Sequence, residues 1–220
     1  MKLYDYWRSS SAWRVRIALA WKGIAYERVA VNLLPGQDQQ RTAAFREKNP
    51  LGQVPVLEVE GPPPLRLTQS LAILEYLEET HPRPPLLPAD PAARARARAL
   101  ALLVVSGIQP LQNIRLLMRL KAMGADERAF AADNIAAGLA ALEIEAAAEA
   151  AAPGAGRFLV GDAASFADVC LVPQLYNARR WGVDLQPMPR LLAVEAACAA
   201  LPAFAAAVPE RQADAPPAAP

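Results

Sequence analysis

The run Trp7-Arg8-Ser9-Ser10-Ser11-Ala12-Trp13-Arg14 sets three hydroxyls in a row between arginines. It stands where a short alternating segment ends and an apolar helical pattern begins. The first turn of a helix carries N–H groups without intrahelical partners and the positive end of the helix dipole. Such a place favours an anion, and it lowers the pKa of a thiol held there. This chain has no cysteine at that point, so a thiolate there must arrive with a ligand. The same serines also suffice as plain caps, since serine is among the preferred N-cap residues. Arg8 and Arg14 either strengthen the positive field or stand solvated.

Two further segments invite a ligand. In Asn49-Pro50-Leu51-Gly52-Gln53-Val54-Pro55-Val56 a turn signal leads into a strand. An X–Pro step such as Val54-Pro55 can hold a cis bond, which would present the backbone of Val54 to an extended peptide. Thr68-Gln69-Ser70 precedes an amphipathic run. A helix starting there could bind a carboxylate, and Ser70 could equally be an ordinary cap.

The surrounding pattern must position these segments. Lys2 to Tyr6 alternates and is aromatic, which predicts a strand. A helix follows from the serines to Lys22-Gly23. Next come a strand at Tyr26 to Val31, a short helix at Gln39 to Lys48, strands at Val54 to Val59 and Leu65 to Leu67, and a helix from Ser70 to Thr80 carrying Leu71, Leu74 and Leu77. The order βαβ, α, ββα describes a small α/β domain over 1–81. The proline-rich stretch opened by His81 predicts a stiff linker over 82–91. One long helix is expected from Ala92 to Leu120, broken near Gln109-Pro110, because proline removes a helical hydrogen bond. Asp126 to Ala151 is a second, alanine-rich helix. Ser165-Phe166-Ala167-Asp168 reads as a capping box opening a third toward Trp181, with Asp168 as a cap. Shorter helices follow at Met188 to Ala199 and Pro202 to Val208. Together they predict an all-helical domain over 92–208, with a frayed tail over 209–220.

Composition narrows the function. The chain has 220 residues, 54% hydrophobic and 20% charged, enough apolar content for a real core and too much for a disordered chain. Its 23 basic and 22 acidic residues leave a net charge of +1, a poor match for a general polyanion binder. Arg94, Arg96 and Arg98 fan around a helix without interleaved aromatics, so no nucleic-acid partner is expected. Cys170 and Cys198, the two cysteines, form no CxxC pattern and suit a reducing, cytoplasmic setting, each packing as a small hydrophobe. His81 is the single histidine, a linker residue that leaves almost nothing for a histidine-rich metal site. The first residues do not read as a signal peptide, and no charge-free run of membrane length stands out, so no membrane partner is expected.

SSSAWRVRIAL, NPLGQVPVL, TQSLAILEYLEE, GIQPLQN and LVPQLYNARRWGVDL, in that order, resemble the zeta class of the glutathione transferases, with the likeness running from Met1 to about Pro202. The resemblance implies an α/β thioredoxin-like N-terminal domain plus an all-α C-terminal domain, the glutathione transferase fold. It also implies glutathione as cofactor and a homodimer. Ser9 matches the position whose hydroxyl faces the glutathione sulfur, with Ser10 and Ser11 beside it. Gln40 matches a polar residue near the glycyl end. Val54 matches the backbone that pairs with the cysteinyl portion, and Gln69 and Ser70 the pair at the γ-glutamyl end. Gln109 and Asn113 match positions where the helical domain closes the site. The family motif usually reads Ser-Ser-Cys, and Ser11 in the third position puts a covalent or redox role there in doubt.

The zeta class includes isomerases of maleylacetoacetate and maleylpyruvate. The implied activity is glutathione-dependent cis–trans isomerisation of maleylacetoacetate in tyrosine and phenylalanine breakdown. Maleylpyruvate of gentisate breakdown is the close variant, and conjugation of electrophilic acids is a further alternative. A binding module without activity is disfavoured by the retained Ser9, Gln69 and Ser70. A dicarboxylate substrate asks for guanidinium groups, whose planar fork matches carboxylates. Arg8 and Arg180 match best, Arg115 hints at maleylpyruvate, and Arg179 reads as a solvated surface charge.

Overall fold

The computed structural model describes residues 1–152 and 154–217. The chain divides into two compact units, one of residues 1–84 joined by the segment from Pro202 onward, the other of residues 85–201.

The first unit is built on a four-stranded sheet in the order β2-β1-β3-β4. β1 (Lys2–Asp5) pairs in parallel with β2 (Glu27–Ala30), and α1 (Ser10–Trp21) crosses between them. β3 (Val56–Val59) runs antiparallel to both β1 and β4 (Leu65–Thr68), and α3 (Ser70–Thr80) follows β4. This is the expected βαβ then ββα order. Leu3, Val15, Ile17, Leu19, Leu57, Ile73, Leu74 and Leu77 are fully buried. Each such aliphatic side chain removed from water contributes about 1.5–3 kcal/mol. Lys22 caps the end of α1 and is buried, donating to Glu78 Oε2 at 2.7 Å and to the carbonyls of His81 (2.7 Å) and Pro84 (3.0 Å). It therefore ties the ends of α1 and α3 to the chain that leaves them.

The short helix expected over 39–48 is two pieces. A 3-10 turn spans Gln39–Arg41 and α2 spans only Ala43–Arg46, because Thr42 takes an extended backbone and caps α2 by accepting from the N–H of Phe45. After Pro202 the chain forms α9 (Pro202–Ala206), which packs on α1. The tail from 209 is anchored where it is described: a 3-10 turn spans Pro209–Arg211 and Asp214 hydrogen-bonds to Trp7.

The second unit is helical: α4 (Pro91–Leu102), α5 (Ile114–Ala122), α6 (Glu127–Ala151), α7 (Phe166–Arg180) and α8 (Pro189–Ala199). Its core includes Leu100, Val104, Ile135, Leu139, Leu142, Phe166, Leu171, Leu175, Leu191 and Val194. The break expected near Gln109-Pro110 is a whole segment. A π-helical stretch over Leu103–Ile108 gives way to a 3-10 turn over Gln109–Gln112, and Asn113 is extended before α5. Residues 91–122 have the length and apolar content of a membrane span. Among those residues the extended Asn113 interrupts the backbone ladder, and α4 packs on α7. Ser165 and Asp168 form the capping box in full: Ser165 Oγ accepts from the N–H of Ala167, and Asp168 accepts from the N–H groups of Ser165 (2.7 Å) and Leu159 (2.9 Å). Burial pushes the Asp168 carboxyl upward, opposed by these donors.

Candidate active site

In the first unit the serine run stands at the start of α1, as its pattern requires. Ser9 is the N-cap, with extended backbone, and its Oγ accepts from the N–H of Ala12 at 3.3 Å. Its own N–H donates to the carbonyl of Tyr6 at 2.9 Å. A hydroxyl that accepts through a lone pair still has its proton to donate. The cap role and a donor role toward a ligand are therefore compatible at Ser9. Ser10 is buried and Ser11 half-buried, inside the first turn, where helix geometry leaves the N–H groups without i−4 partners. Arg8 lies over the Trp7 ring, 5.2 Å from its centroid.

The Asn49–Gln53 turn is stapled by Asn49, whose Nδ2 donates to the carbonyl of Gln53 at 2.7 Å and whose Oδ1 accepts from the N–H of Leu51. Gly52 has a φ of +62°, and a Cβ there would stand 2.8 Å from the carbonyl oxygen of Gln40, so both backbone angle and space demand glycine. The turn delivers Val54, and the Val54-Pro55 bond is cis. Val54 precedes the paired residues of β3, which begin at Val56. Gln40 is 9% exposed; its Nε2 donates to Asp38 at 3.3 Å and its Oε1 is buried without a hydrogen-bond partner.

At the start of α3 the structure departs from a plain serine cap. Gln69 occupies the N-cap position with a φ of +68° and no side-chain capping bond. A non-glycine residue in that region is strained, and such strain is held where surrounding structure over-determines it. Ser70 is buried inside the first turn, and its Oγ accepts from Arg14 Nη1 at 3.2 Å. Arg14 is fully buried rather than solvated, the consequence of α1 packing on α3. The bond links the beginnings of the two helices, and no spacing in the sequence revealed it.

Sequence reasoning also missed the support beneath the serine loop. Asp5, fully buried, accepts from Arg16 Nη1 at 2.8 Å through both oxygens and from Arg28 Nε at 2.6 Å. Burial lowers the Arg16 pKa, and the Asp5 carboxylate works against that fall. Burial also disfavours the Arg28 charge, but Asp5 and Asp214 together carry its pKa upward. The available signal was a carboxylate on the Leu3 face of β1 and an arginine inside the apolar stretch of α1.

The remaining candidates belong to the second unit. Gln109 lies in the 3-10 turn, half-buried. Asn113 caps α5, its Oδ1 accepting from the N–H of Arg115 at 3.0 Å, and the Arg115 side chain is exposed. Arg180 ends α7, exposed, with Nη1 3.4 Å from Asn177 Oδ1. Arg179 forms a two-pronged surface pair with Glu195, matching its expected solvated role. Among the described residues no group of His, Cys, Asp or Glu is arranged to hold a metal ion.

Residues 1–79 match the glutathione S-transferase N-terminal domain family. A maleylacetoacetate isomerase of Mus musculus is 47% identical over 97% of this chain and 94% of its own length. The chain belongs to the zeta class of the glutathione transferases. The zeta assignment agrees with a solved maleylpyruvate isomerase described as a bacterial glutathione S-transferase of that class, 44% identical, covering 98% of this chain and all of the other, with a TM-score of 0.92. The maleylacetoacetate isomerase of Anaeromyxobacter dehalogenans 2CP-1, crystallised with glutathione in its active site, is 55% identical over 98% of this chain and 97% of its own, with a TM-score of 0.87. A second crystal structure of that enzyme holds dicarboxyethyl glutathione and citrate, at 53% identity over 99% of this chain and 94% of its own, TM-score 0.86. Membership of this zeta-class, maleylacetoacetate isomerase-like group makes the chain an enzyme, and the glutathione transferase fold accounts for both units.

Proposed function

We propose that this chain is a glutathione-dependent cis–trans isomerase whose substrate is maleylacetoacetate, acting in tyrosine and phenylalanine breakdown. The observation that carries the reading is Ser9, which caps α1 through its oxygen and keeps a proton to offer a ligand at a helix N-terminus. The first unit fits a γ-glutamyl tripeptide at three further points. Gln40 lies against the Gly52 turn, Val54 leads into β3 ahead of its paired residues, and the start of α3 offers Gln69 and an Arg14-supported Ser70.

Bound glutathione supplies a thiol whose sulfur adds to one carbon of the cis double bond and leaves once the bond has rotated, so it is not consumed. Free thiols titrate at about 8.5, leaving only a few per cent as thiolate at neutral pH. Ser9 donates its hydroxyl proton to the charged sulfur, and the first-turn N–H groups of Ser10 and Ser11 add the positive end of the α1 dipole. Gln69 and Ser70 hold the glutamyl end, where the α3 terminus favours a carboxylate. Gln109 and Asn113 are assigned to closing the site. Arg8 and Arg180 hold the substrate carboxylates. Arg115, exposed at the start of α5, keeps maleylpyruvate as the alternative substrate. Neither cysteine competes with the cofactor: both are buried, and burial, with Asp168 and Glu195, pushes the Cys198 thiol well above the ordinary range.

This reading includes a homodimer, which light scattering of the purified chain checks by mass, and a cytoplasmic setting, in keeping with two reduced, buried cysteines. The deciding experiment follows loss of each cis substrate with and without glutathione while measuring total thiol. Turnover that requires glutathione and leaves it unchanged supports isomerisation. Stoichiometric loss of thiol would make the chain a conjugating transferase, and turnover without glutathione would overturn the mechanism.

A further inference from the structure

The loop that carries Ser9 is gripped from a distant part of the chain. Asp214, beyond α9, accepts from the backbone N–H of Trp7 at 3.2 Å through Oδ2, while its Oδ1 stands 2.7 Å from Arg28 Nη2. The carbonyl of the same residue, Trp7, accepts from Arg16 Nη2 at 2.9 Å. Both backbone polar groups of Trp7 are thus held, one by each end of a single chain of charges. That chain runs from Asp214 to Arg28, from Arg28 to Asp5 and from Asp5 to Arg16. Two carboxylates and two guanidiniums balance, which is what a buried ionic network requires. Arg16 extends the grip by donating through Nε to the carbonyl of Ala207 at 3.1 Å, just past α9. The carbonyl of Tyr6 takes the N–H of Ser9. The Trp7 peptides are thus fixed on both sides just before Ser9, the residue that caps α1, whose own backbone is tied to Tyr6.

We infer that Asp214 is a positioning residue for the sulfur site: the segment after α9 clamps the Trp7 peptide and thereby aims Ser9 at the bound thiol. The inference rests on the glutathione reading of the site. It explains a carboxylate that packing alone would not ask for. Its side chain is 22% exposed, and its two oxygens face the Trp7 N–H and Arg28. Misplacing a catalytic group by about 1 Å can cost about a hundredfold in rate, so a small release of this loop is enough to be seen.

The test uses the full chain with Asp214→Ala, and Asp214→Asn as the near-isosteric variant. Two readouts are taken: the ultraviolet thiolate absorbance of bound glutathione across pH, and amide hydrogen exchange at Trp7 without ligand. In Asp214→Ala the Trp7 amide should exchange at least about tenfold faster, because its acceptor is gone. The thiolate band should then appear only at higher pH, with kcat at neutral pH down about tenfold and the helical circular dichroism unchanged. Asp214→Asn keeps one acceptor oxygen and should fall between the two. A thiolate band and kcat unchanged in Asp214→Ala would overturn the inference, as would unchanged exchange at Trp7. If the unaltered protein gave no thiolate band, the glutathione reading would fall instead, while Trp7 exchange would still judge the clamp.

Discussion

Replacing Ser9 by alanine should do two separable kinds of damage. The first is structural. Ser9 Oγ caps α1 through the N–H of Ala12, at a somewhat long 3.3 Å. Loss of a serine cap costs about 1 kcal/mol, and in a chain of this size that lowers the melting temperature by about 2–4 °C. The second is chemical. A hydrogen bond to a charged partner contributes about 1.5–3 kcal/mol, which corresponds to about one to two pKa units on the bound thiol. The sign follows from which form the bond favours. Ser9 stabilises the thiolate, so removing it raises the thiol pKa and moves the rising limb of the rate–pH profile to higher pH. At neutral pH the rate should fall about ten- to a hundredfold, then recover partly as pH rises. Ser9→Thr retains a hydroxyl and a cap and should recover most of the loss. Ser11→Ala is the control: Ser11 lies within the first turn, Ser9 is the cap, and alanine is the better helix former. The assay is initial rate against pH for the three variants, with thermal unfolding alongside. Equal losses in Ser9→Ala and Ser11→Ala, or a loss in Ser9→Ala without any shift of the pH limb, would refute Ser9 as the sulfur's partner.

Arg180→Ala should raise KM for the dicarboxylate about ten- to a hundredfold, the scale of a charge-assisted bond, while leaving glutathione affinity unchanged by calorimetry; a loss confined to glutathione would reject its assignment. Asp168→Ala strands the N–H groups of Leu159 and Ser165 in a fully buried place. At about 1–3 kcal/mol for each of these two orphaned donors, denaturant unfolding should show a loss of about 2–6 kcal/mol. Cys170 and Cys198 should resist a thiol reagent in the folded chain at mildly alkaline pH and both react after denaturation, and turnover should persist when the reagent is removed before glutathione is added.

Local pattern reaches far into this molecule. Alternation in Lys2–Asp5, the serines ahead of an apolar helix, the Ser165–Asp168 box and the proline after Gln109 each act through neighbours within a turn or two. For that reason the order of elements and the capping of α1 and α7 are legible in the residues alone. Element ends are less so. Thr42 splits the helix expected over 39–48, and Pro110 produces a run of π and 3-10 turns in place of a single break, because capping and backbone hydrogen bonding are settled over a few residues at a time.

A hydroxyl donor at a helix start, a glycine turn feeding Val54, and an α/β unit followed by helices are all written in local residue order. Folding in three dimensions is what buries Arg14 against Ser70 and brings Asp214 back to grip Trp7. Those contacts join residues 56 and 207 positions apart. Their partners are selected by desolvation, which makes each buried charge seek an opposite charge or a carbonyl wherever the fold brings one, and no periodicity along the chain records that choice.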